Sequence, residues 1–162
     1  MTTTIDPISP AAAAVEAHHA QLRTRLTERT DALIDAVARH RPHEEPRREL
    51  VDFLRTDLLP HVEAEESLLY TAAAAAPIQL LARAMEDEHR MVRALIDEVA
   101  QTTDGMDAAA AASALVVLCD VRIEQEDRLL LPALTEAGVD LATVLGDHPE
   151  IVGPTGPTGG TP

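Results

Sequence analysis

Residues 61–70 read HVEAEESLLY, and this stretch decides how the fold is interpreted. It places His61 and Glu65 four residues apart within an amphipathic pattern. On an α-helix, residues at i and i+4 share one face and lie about 6 Å apart along the axis. The stretch therefore predicts a helix that presents a nitrogen donor and an oxygen donor side by side.

A second version of this stretch lies near the C-terminus, where residues 122–132 read RIEQEDRLLLP. Glu126 takes the place of Glu65 and the leucines keep step, but Arg122 stands where the first version has His61. An arginine stays protonated and has no lone pair to give to a metal. The second version therefore keeps the carboxylate of the first and lacks its nitrogen donor.

Composition bounds the class of protein. A chain of 162 residues with 46% apolar residues can build one domain with a sizeable core. Its only aromatic residues are Phe53 and Tyr70, which favours helix packing over sheets. A formal charge of −15 argues against nucleic acid or an anionic membrane as partner and favours cations.

Cysteine usage and the apolar runs predict a cytoplasmic location. The single cysteine, Cys119, excludes an internal disulfide and fits a reducing compartment. Residues 1–6 contain neither a basic region nor an apolar run, so they do not read as a signal peptide. The longest apolar run, residues 108–119, is too short to cross a bilayer.

Turn residues divide the chain into four long helical patterns. The first covers about residues 10–40, and the second runs from the loop at 43–46 to about 75. The third covers about 77–102 and the fourth about 107–135. A short helical turn is expected at 139–146. Long helices with short connections predict an all-α protein, an up-down-up-down antiparallel four-helix bundle.

The same punctuation predicts the domain organisation. Residues 1–9 form an N-terminal extension, residues 10–146 form the bundle, and residues 147–162 form a disordered tail rich in Gly, Pro and Thr. Within the second helix, Pro60 is expected to bend the backbone just before His61.

Ionisable side chains fall at core-facing steps on all four helices: His19, His61 with Glu65, His89 and Glu126. Such groups are expensive to bury unless they are paired or bound to metal. Imidazole nitrogens combined with carboxylates suit non-haem iron and similar divalent ions. The pattern therefore predicts a metal site inside the bundle.

Over about residues 10–135 the chain resembles the hemerythrin-like, or HHE cation-binding, family. The resemblance rests on a histidine in the first helix, the motif at 61–69, the EHR triplet at 88–90, and residues 126–132. The motif in the second helix, in this order, is fairly specific.

This resemblance implies a pair of non-haem irons held in a hemerythrin-like bundle. Glu65 and Glu126 would bridge the irons, while His61, His89 and the helix-one histidine, His19, would cap them. Members of the family include oxygen carriers, oxygen or redox sensors, iron sensors and peroxide-consuming proteins. The implied partners are therefore a metal cation and a small oxidant such as oxygen or peroxide, and any catalysis would be iron-dependent chemistry of those oxidants.

Two departures from the family pattern bear on the number of metals. Arg122 and Arg93 stand where the pattern has, in all or some members, further histidines. A mononuclear site is therefore possible beside the di-iron one, and Arg122 can instead pair with Glu126 one turn away. The alternative reading is a degenerate bundle with one metal or none, acting as a binding or regulatory module.

The choice between His18 and His19 depends on the phase of the first helix. Apolar residues follow His19 at +3 and +7, as they follow His89. This phase favours His19 as the core residue and places His18 toward the edge.

Several residues remain open as further or replacement ligands. Glu86 precedes His89 by three residues, and Asp127 could replace Glu126 if the helix is rotated slightly. Cys119 reads as an apolar filler more than a soft ligand, and Tyr70 as packing or a phenolate ligand. The remaining histidines are expected in solvent: His40, His43 and His148.

Overall fold

The computed structural model describes residues 9–74, 78–146 and 148–153, and within these ranges the chain is all-helical and has no strand. The long helices are α1 (Pro10–Ala38), α2 (44–74), α3 (Gln79–Gln101) and α4 (105–136). Two short helices follow: α5 (Leu141–Leu145) and α6 (Pro149–Val152). The predicted fold class is confirmed as helical, and the expected turn within 139–146 is present as α5.

Capping residues set where the helices begin. The Ser9 side chain accepts a hydrogen bond from the Ala12 amide at 3.1 Å, and Pro10 opens α1 as predicted. The predicted loop at 43–46 is wrong beyond His43, because α2 already begins at Glu44. Proline is tolerated in a first turn, and carboxylates there favour the positive end of the helix dipole.

Three stretches inside the long helices are π-helical: Leu54–Leu58, Glu66–Tyr70 and Glu126–Leu130. Pro60 and Pro132 follow the first and third stretches, so the carbonyl that each proline ring would strike lies in a widened turn. The second stretch directly follows Glu65, and the third begins at Glu126. The widened turns therefore adjoin both core carboxylates.

Each long helix packs against two others: α1 contacts α2 and α4, and α3 also contacts α2 and α4. Their apolar faces form two clusters. One cluster includes Leu26, Phe53, Val92 and Leu115, and the other includes Val15, Leu69, Met85 and Leu131. Along each long helix, the buried ionisable residues lie between members of the two clusters. The polar centre is thus enclosed by apolar packing above and below.

The expected tail at 147–162 requires a correction at its start. Residues Pro149–Val152 form α6, and the Ile151 side chain is completely buried in the second apolar cluster. Burial of this side chain fixes a segment whose Gly/Pro-rich surroundings suggested disorder. Residues 1–8 and 154–162 lie outside the described residues, and the rest of the domain division stays a prediction. In the described part of the chain, no helix is both long and apolar enough to span a membrane.

Candidate metal centre

The structure brings the five candidate ligands together from all four long helices. His19 lies on α1, His61 and Glu65 on α2, His89 on α3 and Glu126 on α4. Each of the five side chains is buried. The predicted set is therefore a single cluster in space, and no member points to solvent.

Glu65 lies at the centre of the cluster. Its Oε1 atom is 2.9 Å from His61 Nε2 and 3.2 Å from His19 Nε2. Its Oε2 atom is 3.4 Å from His89 Nε2. Three rings from three helices thus turn the same nitrogen, Nε2, toward one carboxylate.

The outer nitrogens of two of these rings are held by carboxylates. His19 Nδ1 donates a hydrogen bond to Asp127 at 2.7 Å, and His89 Nδ1 donates one to Glu66 at 2.8 Å. Glu66 is held in turn by two hydrogen bonds from the Arg93 guanidinium, at 2.8 and 2.7 Å. Such outer partners fix ring orientation and raise the basicity of the inner nitrogen.

The outer nitrogen of His61 has a different partner. Its Nδ1 atom donates to the backbone carbonyl of Glu150, in α6, at 2.8 Å. The Glu150 side chain is exposed and takes no part in this contact. The short helix α6 therefore contacts the cluster through a backbone carbonyl.

Arg122 and Tyr70 occupy the α4 side of the cluster. Arg122 pairs with Glu126 and donates hydrogen bonds to the Tyr70 hydroxyl at 2.5 Å and to the Met85 carbonyl at 3.0 Å. Tyr70 donates to Glu126 at 2.7 Å, and its ring stacks on His89. The expected pairing of Arg122 with Glu126 is confirmed, and Tyr70 joins this network besides packing.

Among the residues that the structure describes, two sets of donor atoms are close enough to hold an ion, and both include Glu65. The first consists of His19, His61 and Glu65, and the second of Glu65, His89 and Glu126. Within each set the ligand atoms lie within 4.8 Å of one another. Buried imidazole nitrogens with a carboxylate suit a divalent transition metal, so these residues fit such an ion. The second set also lies beside the Arg122 cation.

Electrostatics in the cluster favour an ionised Glu65. Burial raises the pKa of this carboxyl, but the His61, His19 and His89 rings together hold it well below its usual range. Burial lowers the pKa of His19, and hydrogen bonds to Asp127 and Glu65 outweigh that effect and raise it to about 10. A metal at His19 must therefore displace a proton.

Glu126 shows the opposite tendency. Burial raises the pKa of its carboxyl, and the nearby charge of Glu65 raises it further, against the opposing effect of Arg122. Two buried carboxylates at close range do not both ionise easily without a cation between them. Arg122 supplies part of that positive charge.

A small cavity of about 20 Å³ adjoins the cluster, which is room for about one water-sized molecule. Its polar wall is formed by His61, Glu65, Arg122 and Glu126. Its apolar wall is formed by Leu22, Leu58, Val62, Val92, Cys119 and Ile123.

The structure separates the residues that the sequence left open. Glu86 is exposed, and Asp127 contacts the outer nitrogen of His19 instead of facing the centre. His18 is half-buried at the edge, as expected, and its ring lies 5.2 Å from that of His61. Burial, followed by the nearby His61 and His19, lowers the pKa of His18 to about 4. Of the histidines expected in solvent, His40 and His148 are exposed and His43 is half-buried.

Sequence reasoning missed the outer partners Glu66 and Glu150 and the clamping role of Arg93. The sequence carried a signal for Glu66, because this second carboxylate directly follows Glu65 in the same predicted helix. The Glu150 contact had none in residue type, because it uses a backbone carbonyl.

Comparison with known proteins identifies the family. Residues 11–134 match the model of the hemerythrin HHE cation binding domain. This match spans most of the chain, and the protein belongs to that family. No curated protein and no solved structure matches the chain.

Proposed function

We propose that the protein binds non-haem iron through His19, His61, Glu65, His89 and Glu126, in an up-down-up-down antiparallel bundle of its four long helices. The observation that supports this most directly is the convergence of three Nε2 atoms on Glu65 while each Nδ1 atom is held from outside. That arrangement leaves the inner nitrogens as metal donors. The short links between helices that pack in a closed ring support the antiparallel order.

The two ion positions are unequal. His19 and His61 offer two nitrogens beside Glu65, whereas the second position has one nitrogen, two carboxylates and the adjacent Arg122 cation. A fixed positive charge beside a cation site weakens binding there. We therefore propose that the first position fills before the second, and that occupancy of the second decides between a mononuclear and a di-iron protein.

Oxygen or peroxide is the proposed small ligand. Bound iron supplies an open coordination position and a change of redox state for such a molecule. The 20 Å³ cavity beside Glu65 and Glu126 has room for one small molecule, and its Leu and Val wall limits access of water. Arg122 lies in the polar wall of the cavity and can donate a hydrogen bond to a bound oxidant. We also propose a cytoplasmic location, because the lone cysteine fits a reducing compartment.

A degenerate, metal-poor module is the second candidate, and the Arg122–Glu126–Tyr70 network favours it. That network neutralises Glu126 with the protein's own charge and leaves less need for a metal.

Metal analysis of protein purified without chelators, followed by anaerobic titration with ferrous iron, separates these candidates. We expect one tight site, assigned by its loss in His61→Ala, and a weaker site, assigned by its loss in His89→Ala. About two irons per chain supports the di-iron protein and one supports the mononuclear form. No iron after purification and none on titration would leave the degenerate module.

A further inference from the structure

We propose that the C-terminal turn, residues 148–153, is a positioning element for His61. By holding Nδ1 of this ring, it makes Nε2 the nitrogen available to a metal. The inference rests on the proposed function in treating His61 as a ligand, and its structural part concerns the metal-free chain as well.

A hydrogen bond joins the turn to the His61 ring. His61 Nδ1 lies 2.8 Å from the Glu150 carbonyl oxygen. A carbonyl oxygen can only accept, so Nδ1 must carry a proton in this contact. In the neutral ring the lone pair therefore lies on Nε2, which is 2.9 Å from Glu65. The backbone of the turn thus decides which nitrogen faces the centre with a lone pair.

Packing against two long helices holds the turn in place. α6 packs against α1 and against the part of α2 that contains His61. The Ile151 side chain has no exposed surface, so it anchors the turn in the apolar core. Docking of the carbonyl therefore depends on burial of an apolar side chain next to it in sequence.

Gly153 adds a steric requirement at the end of the turn. Its φ of 76° and ψ of 165° are backbone angles that residues with a Cβ atom rarely adopt. A Cβ atom built there would lie 3.1 Å from His18 Nδ1. Glycine therefore lets the turn close against the edge of the cluster, where His18 adjoins His61.

Docking of the turn and metal binding are thermodynamically linked in this proposal. His19 and His89 are oriented by carboxylates on long helices, whereas His61 is oriented by a backbone carbonyl of the short helix α6. If docking of the turn favours metal binding, metal binding must stabilise docking by the same factor. Iron should therefore increase hydrogen-exchange protection of the Ile151 and Val152 amides, which both donate to the His148 carbonyl.

Two C-terminal deletions, each made in the full chain, test the proposal. Removal of residues 148–162 should weaken ferrous iron binding about 10- to 100-fold, the range for loss of an outer partner of a metal-binding histidine. Removal of residues 154–162 keeps the turn and is the matched control, with iron binding unchanged. Equal affinity in the two deletions would overturn the proposal.

Two glycine variants keep the test valid if the longer deletion does not fold. Gly153→Ala meets both a positive φ and the His18 ring, whereas Gly138→Ala meets a positive φ of 79° with open space around it. We expect weaker iron binding in Gly153→Ala alone. The same loss in both variants would show that backbone strain, and not docking of the turn, is responsible.

A metal-free readout separates this proposal from the proposed function. Nitrogen NMR of the imidazole rings should find a proton on His61 Nδ1, protected from exchange, in the wild type and not in the 148–162 deletion. If the wild-type protein binds no iron, the proposed function fails, and these signals still decide the role of the turn. Identical His61 signals in the two proteins would overturn it.

Discussion

Arg122 and Glu126 form a buried ion pair across one turn of α4, with both side chains almost fully excluded from solvent. The family pattern places a histidine where this arginine lies, so the pair replaces a neutral nitrogen donor by a permanent positive charge. That charge stabilises Glu126 without metal and disfavours a cation at the second ion position. Under the proposed function, iron content and metal-free stability are therefore opposed at this residue.

Substitution Arg122→His should raise iron occupancy and lower the stability of the metal-free protein. The histidine restores a nitrogen donor, while the lost guanidinium leaves the buried Glu126 without its charged partner. Stranding a buried charge typically costs about 3–5 kcal/mol. Because burial already raises the pKa of Glu126, proton uptake should keep the loss below that range. Iron per chain and chemical denaturation with chelator present measure the two effects. The control is Arg128→His, because Arg128 forms an exposed pair with Glu124 on the same helix. Unchanged iron content in Arg122→His would show that this residue does not limit the second position.

Glu65 should be required for stabilisation by iron. A ligand that binds only the folded state adds about 2.7 kcal/mol at 100 times its Kd. Glu65→Gln removes the charge shared by both ion positions, so the shift in Tm on adding iron should largely disappear. The readout is this shift and not the starting Tm, because loss of Glu65 also changes the metal-free cluster. Glu63→Gln, two residues away and exposed, is the matched control and should keep the full shift. A full shift in Glu65→Gln would exclude the bridging role.

Helical periodicity was sufficient to predict most of the fold and the inner side of the site. Apolar residues at i, i+3 and i+4 located the long helices, and the same phase identified His19 over His18. The outer partners were harder to predict. The sequence leaves Asp127 open as a metal ligand in place of Glu126, but in α4 its side chain faces the outer nitrogen of His19.

The C-terminal turn was misassigned for a physical reason. Composition averages over a window, and the Gly/Pro-rich residues after 152 outweigh two apolar residues, Ile151 and Val152. Yet Ile151 is fully buried, and the neighbouring Glu150 carbonyl accepts a hydrogen bond from His61. No residue-type pattern records a backbone carbonyl as a partner for a histidine 89 positions away in sequence.

Cys119 should remain an unreactive thiol in the native protein. Its side chain is 6% exposed, and burial raises the pKa of the thiol to about 12, with Arg122 opposing and Glu126 adding to the shift. The thiolate is the reactive form, so the native thiol stays neutral and protected at pH 8. A chromogenic disulfide reagent should label it slowly in buffer and at once in guanidinium chloride. Rapid labelling in buffer would show that the helices around the cavity open readily.

Arg93 should influence metal binding much more than folding. Its pair with Glu66 is partly exposed, 34% and 30% for the two side chains, so its contribution to stability is at most about 1 kcal/mol. Glu66, however, also accepts the hydrogen bond from His89 Nδ1, and Arg93 holds it there with two hydrogen bonds. In Arg93→Met we therefore expect weaker iron binding at the second position, by up to about 10-fold, with nearly unchanged unfolding in denaturant. Arg90→Met is the matched control, since Arg90 lies on the same helix and, within the described residues, pairs only with the exposed Asp87. Equal iron titrations for the two variants would show that Glu66 orients His89 without help from Arg93.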